Sequence, residues 1–301
     1  MKNTHSFHIP VMGIGFTIDT PLKVAQYGID SVISLVDDIL LEKLRKMYSE
    51  KFKIPYNEIT DKIDDFRAKR ITSYLNLISD LADEKFENLK QITSEKSDDF
   101  FTYINMLPNN SEIKAEFKKM TSKGFNFFEI KKWANHNLSM GSIDVNIMTK
   151  VDKDNYKNNE KLPTEYNDAH AALRGFAKSK LSSSVILSAG MNPRLYSYIS
   201  QFDDFFPDEN GILKKKIILK VSDYRSALIQ GKFLAKKGLW VSEYRIESGL
   251  NCGGHAFATD GYLLGPVLAE FKEKREELKT AIQELLNQEL QNLLKQHEHH
   301  C

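Results

Sequence analysis

The feature that most constrains the fold is a series of six short Val/Ile/Leu-rich runs, each the length of a strand and most separated by helix-like stretches. They are PVMGIGF (10–16), DSVISLV (30–36), IDVNIMT (143–149), SSVILSAG (183–190), KIILKVS (216–222) and LWVSEYRIE (239–247). Near-continuous apolar runs mark strands buried on both faces, and their alternation with helices predicts an α/β protein with a parallel sheet. The first connection, TIDTPLKVAQYGI, has Pro21 at a helix start and Gly28 at its end, and its length suits a parallel crossover. NDAHAALRGFAKSKL, the shorter NPRLYSYIS, and DYRSALIQGKFLAKKG supply later helices, the last closing on Gly238 as a C-cap.

Two long segments interrupt or extend this rhythm. Residues 37–138 hold LEKLRKMYSEKF, KRITSYLNLISDLADEKFENL, SEIKAEFKKM and FEIKKWANHNL, with apolar residues at three- and four-residue spacing among many charges. That periodicity predicts a helical insertion after strand two. From Pro266 to Gln296 a single amphipathic helix is expected, with Leu278, Ile282, Leu285, Leu286, Leu290, Leu293 and Leu294 on one stripe. The expectation is one α/β barrel-like domain over 1–301, with the insertion at 37–138 and the terminal helix at 266–296.

Charge narrows the partners. Lys and Arg number 42 against 41 Asp and Glu, a net charge of +1, so no basic face suggests nucleic acid or an anionic membrane surface. The start, MKNTHSFHIPVMGIGF, is too short and Gly-rich in its apolar part for a signal peptide, and no later run is long enough to span a bilayer. Cys252 and Cys301 are too few for a disulfide framework. A cytoplasmic protein without nucleic-acid or membrane partners is the expectation. The closing QHEHHC, with His297, His299 and His300, reads as a frayed tail, and no metal site is expected. P-loop, zinc-ligand and GxSxG patterns are absent from the sequence.

In parallel α/β folds ligands gather at the carboxyl ends of the strands, where βα loops converge. Here those ends carry Met12, Gly13, Gly15 and Phe16, then Asp144, Asn146 and Lys150, then Ser188 to Gly190, then Lys220 and Ser222, and finally Glu247 running to His255. In the last of these, Gly253 and Gly254 let backbone approach a flat ligand, and His255 is placed to act as a base. The tripeptide alone reads equally as a tight turn with a hydrogen-bonded histidine. Phe16, Tyr244, Phe257 and Tyr262 would suit a planar or apolar ligand at this rim, or ordinary packing.

The collinear order of Pro10, Met12 and Gly13, then Val145-Asn146, then Cys252-Gly253-Gly254-His255 resembles the flavin-dependent nitronate monooxygenases, also called 2-nitropropane dioxygenases, and the related flavin enoyl reductases. The resemblance covers residues 9–36 and 141–261. It implies an aldolase-type TIM barrel and FMN as cofactor. It places flavin contacts at Met12, Gly13, Asn146, Lys220, Gly253 and Gly254, and a catalytic role on His255. It also implies oxidoreductase chemistry on a small carbon acid. Cys252 stands where the family usually has alanine, and reads as a small buried residue.

Six strands do not close a barrel of eight, and no phosphate-binding glycine turn follows His255. The fold class expected is therefore an incomplete six-stranded barrel, an amino-terminal portion that holds little FMN and associates through open sheet edges or the terminal helix. Two alternatives stay open. One is a truncated or non-catalytic interaction module; the other is a flavin-free, aldolase-like barrel using Lys220 as a Schiff-base amine.

Overall fold

A computed structural model describes residues 4–11, 17–35, 37–91, 98–122, 124, 126–188, 190–247 and 264–298. In chain order the elements are β1 (His8–Ile9), α1 (Pro21–Val24), β2 (Asp30–Ser34), α2 (Asp38–Lys51), α3 (Phe66–Leu89), α4 (Asp98–Met106), α5 (Glu112–Thr121) and α6 (Phe127–Asn137). They continue with β3 (Ile143–Ile147), β4 (Tyr156–Lys157), β5 (Glu160–Lys161), α7 (Asp168–Ala177), β6 (Ser184–Leu187), α8 (Pro193–Ile199), β7 (Lys216–Val221), α9 (Tyr224–Ala235), β8 (Val241–Ile246), α10 (Leu264–Glu273) and α11 (Arg275–Glu298). Strands β4 and β5 form a small antiparallel hairpin.

The protein is α/β, with six parallel strands in the order β1-β2-β3-β6-β7-β8. Each new strand is added beside the one before it, without the reversal that defines a doubly wound sheet. Five of the six apolar runs coincide with these strands. The first run does not: the pairing strand is His8–Ile9, with His8 opposite Asp30 and Ile9 opposite Ser31, and residues 12–16 lie outside the described residues.

Two compact units are distinguished. The first takes in residues 1–59, 70–145 and 179–181. Its crossover is short: α1 gives way to a 3-10 turn at Ala25–Tyr27, ended by Gly28 in the left-handed conformation at φ 74°. Helices α4 to α6 and the end of α3 enclose an aromatic core of Phe86, Phe100, Tyr103, Phe117, Ile130 and Leu138. The Phe100 and Phe117 rings meet edge to face at 5.6 Å, and Trp133 leans on Phe117 at 5.5 Å. The charges noted in this stretch therefore surround a core of its own, with each buried aromatic contributing roughly 2 kcal/mol of transfer free energy. Near α2, Glu42 accepts from Arg45 Nε at 2.8 Å, from the Tyr56 hydroxyl at 2.9 Å and from the Ile59 amide at 2.9 Å.

The second unit takes in residues 60–69, 146–178 and 182–301. Strand β6 is buried throughout, and β7 is buried at Ile217, Ile218, Leu219 and Val221. Strand β8 differs from the buried-type strand expected: beyond Val241 its residues are partly or fully exposed and include Ser242, Glu243 and Arg245. As the last strand in the order, it carries the charge that discourages pairing with another chain. The Tyr244 side chain packs toward α9: a Cβ on Gly231 of α9 would sit 2.2 Å from the Tyr244 hydroxyl and 2.6 Å from Ile282 Cδ1, so a larger residue there would push both side-chain ends aside.

The terminal stretch is two helices rather than one. Leu278 and Ile282 of its stripe are buried, as the periodicity requires. The interruption falls at Lys274, without Gly or Pro. The helical bonds continue through it: the Lys274 amide donates to the Glu270 carbonyl at 2.9 Å and the Lys274 carbonyl accepts from the Leu278 amide at 3.0 Å, with the Tyr224 hydroxyl 3.5 Å from the same carbonyl. No helix among the described residues is long and apolar enough to cross a membrane.

Candidate functional site

Of the residues assigned to flavin and catalysis, Asn146 and Lys220 are described. Met12, Gly13, Gly253, Gly254 and His255 lie outside the described residues, as do Phe16, Phe257 and Tyr262. The carboxyl ends of β3, β6, β7 and β8 nevertheless form a definable set within the second unit.

Asn146 is 6% exposed, on a strand whose every residue is buried. Just beyond it Thr149 ties two loops together. Its amide donates to Ser188 Oγ at 2.9 Å and its hydroxyl to the Gly190 carbonyl at 2.7 Å. Asn192 completes the tie: Nδ2 donates to the Thr149 carbonyl at 3.2 Å, while Oδ1 accepts the Leu195 amide at 3.1 Å and caps α8. Gly190 has φ 116°, and a Cβ there would lie 2.6 Å from Lys150 Cε. Glycine is thus required both by the backbone and by the lysine stem lying across it.

Lys220, on β7, meets Glu247 at the end of β8, with Nζ 2.7 Å from Oε1. Both side chains are partly exposed, so the pair is worth at most about 1 kcal/mol. Its effect on chemistry is larger. An amine that attacks a carbonyl must be neutral and unpaired, and here it would first have to part from Glu247. As a flavin contact Lys220 keeps N–H donors beyond the one given to Glu247, while its charge is balanced. Asn146 fits a flavin ring edge by chemistry, since its carboxamide carries both donor and acceptor.

The sequence reading missed a second polar group in the same unit. His170, 2% exposed in the first turn of α7, has Nδ1 2.9 Å from Asp152 Oδ2, close enough for charge attraction though without the alignment of a directed hydrogen bond. Burial alone would raise the Asp152 pKa. The His170 contact, Asn192 and the Ala169 amide outweigh it and hold the carboxyl below its ordinary value. Beside His170, with ring centroids 5.1 Å apart, lies Tyr198 of α8. The Tyr198 oxygen accepts from Arg174 Nη1 at 3.0 Å. Arg174 is itself held by both oxygens of Asp65, with Nε to Oδ2 at 2.8 Å, and by the Glu165 carbonyl. Burial would lower the Arg174 pKa; Asp65 and Tyr198 raise it above the ordinary arginine value. The signal available in the sequence was VDKDN followed by NDAH, an acidic loop facing a helix start with histidine in its first turn.

In comparisons with known proteins, no family model, no curated protein and no solved structure matches this chain.

Proposed function

We propose that the chain carries the catalytic rim of an FMN-dependent oxidoreductase of the nitronate monooxygenase type, acting on a small carbon acid. The observation that carries this reading is the unreversed order of six parallel strands, with Asn146 and Lys220 toward their carboxyl ends. A singly wound sheet gathers its βα loops at one rim, whereas a doubly wound sheet binds ligands at a switch point. When bound, FMN would supply the electron acceptor.

The chain's own residues have distinct tasks in this proposal. Asn146 offers its carboxamide to the flavin edge, and Lys220 an ammonium N–H balanced by Glu247. His255 takes the proton α to the electron-withdrawing group, the role implied by its place after Gly253 and Gly254. The Thr149–Ser188–Asn192 network fixes the loops between which a ligand would lie.

The test is anaerobic mixing of the protein and FMN with nitroethane, a carbon acid that still carries its α proton. Protein-dependent bleaching of the oxidised flavin band, lost in His255→Asn, is expected. Bleaching at equal rate in His255→Asn, or none with wild-type protein, would overturn the proposal. A covalent borohydride adduct at Lys220 with a carbonyl compound would replace it by amine catalysis.

A further inference from the structure

We propose that the cavity between the start of α7 and α8 binds a small α-hydroxy acid, with His170 and Tyr198 as its hydrogen-bonding pair. The cavity is an open depression rather than an enclosed chamber, of about 500 Å³, bordered by residues that include Glu165, His170, Arg194, Ser197, Tyr198 and Gln201. That is the size of small-molecule sites. The inference is independent of the flavin reading and uses none of its residues.

Two groups on its walls are left with hydrogen-bonding capacity, His170 Nε2 and the Tyr198 hydroxyl. Nε2 has no hydrogen-bond partner among the described residues, and the ring that carries it lines the cavity. Tyr198 is the complement. Its oxygen already accepts from Arg174, so its hydrogen is left to donate elsewhere, and Tyr198 lines the same cavity.

A ligand with a hydroxyl next to a carboxylate matches this pair. The hydroxyl, which can donate or accept, pairs with His170 Nε2, and the carboxylate accepts from the Tyr198 hydroxyl. Arg194, exposed at the cavity wall, adds the positive charge that favours an anion. Arg174 does not supply that charge, because Asp65 neutralises it. Glu165, also on the wall, disfavours a second negative charge, so a monoanion fits best. An acid without the hydroxyl leaves Nε2 unmatched.

The test is histidine-labelled NMR of the full chain titrated with glycolate and, separately, with acetate. His170→Gln identifies the His170 signal by its loss. A saturable glycolate shift is expected, with acetate binding about five-fold more weakly, the size of one hydrogen bond. Tyr198→Phe, which keeps the ring, is expected to weaken glycolate to a similar extent. No saturable shift at ~10 mM glycolate, a concentration that reveals even millimolar sites, would overturn the proposal. So would equal affinity for the two acids, or unchanged affinity in Tyr198→Phe.

Discussion

Lys215 lies just before β7 and is 1% exposed, with Nζ 4.2 Å from the centroid of the Phe176 ring. Burial, aided by Lys214 and opposed by Asp204, pushes its ammonium down from 10.5 to about 7. The folded state therefore releases this proton more readily than the unfolded chain. Below about pH 7 both states are protonated, and the folded protein bears the full cost of the buried charge. At ~1.4 kcal/mol for each of the roughly 3.5 units of difference, that cost is about 5 kcal/mol as an upper bound. As pH rises from about 7 toward 10.5 the unfolded state holds the extra proton, so stability climbs by up to ~1.4 kcal/mol per unit. Lys215→Met keeps most of the side-chain volume without the charge. Urea unfolding of both proteins at several pH values should show the variant more stable, by the most at neutral pH and below, with the difference shrinking on the alkaline side. Parallel stability curves, or a wild type more stable than Lys215→Met at pH 6 to 7, would refute the reasoning.

Asp65→Asn is expected to cost about 3–5 kcal/mol in urea unfolding, because it leaves the 6% exposed Arg174 guanidinium without its counter-charge. Asp65 has φ 52°, a conformation asparagine also tolerates, so the loss is electrostatic and Arg174→Met should recover part of it. Glu42 gives the opposite pH signature to Lys215. Burial would raise its pKa, but Arg45, the Ile59 amide and the Tyr56 hydroxyl outweigh that and hold it below 4.5. Its contribution is complete above its unfolded pKa and is lost as pH falls through its folded one, so Glu42→Gln should flatten the acid limb of the stability curve below about pH 5.

The strands were legible where side chains alone determine them. Val185 to Leu187 and Ile217 to Leu219 are apolar because they are covered on both faces, and that coverage is written in the residue types. For the first strand the described pairing, His8 with Asp30 and Ile9 with Ser31, lies just before PVMGIGF, and residues 12–16 of that run are outside the described residues. The break at Lys274 was hidden because no Gly or Pro marks it in the sequence. Of the candidate site, Asn146 and Lys220 were read from their place on strands, where they lie, but the partner of Lys220 and the nearness of His170 to Asp152 are contacts across loops. No local pattern encodes them. Tyr244, for which the sequence left open a rim or a packing role, packs with its hydroxyl toward Gly231 of α9.

The central claim, that this rim holds flavin, is tested most directly by titrating FMN into the protein and following quenching of flavin fluorescence. Wild-type protein, Asn146→Ala and His255→Ala would be compared after their unfolding curves show that each is folded. Weak but saturable quenching by the wild type, as expected of a rim without a phosphate-binding glycine turn, and weaker still in both variants, is predicted. Quenching that rises linearly without saturation, or that is the same in all three proteins, would contradict the claim.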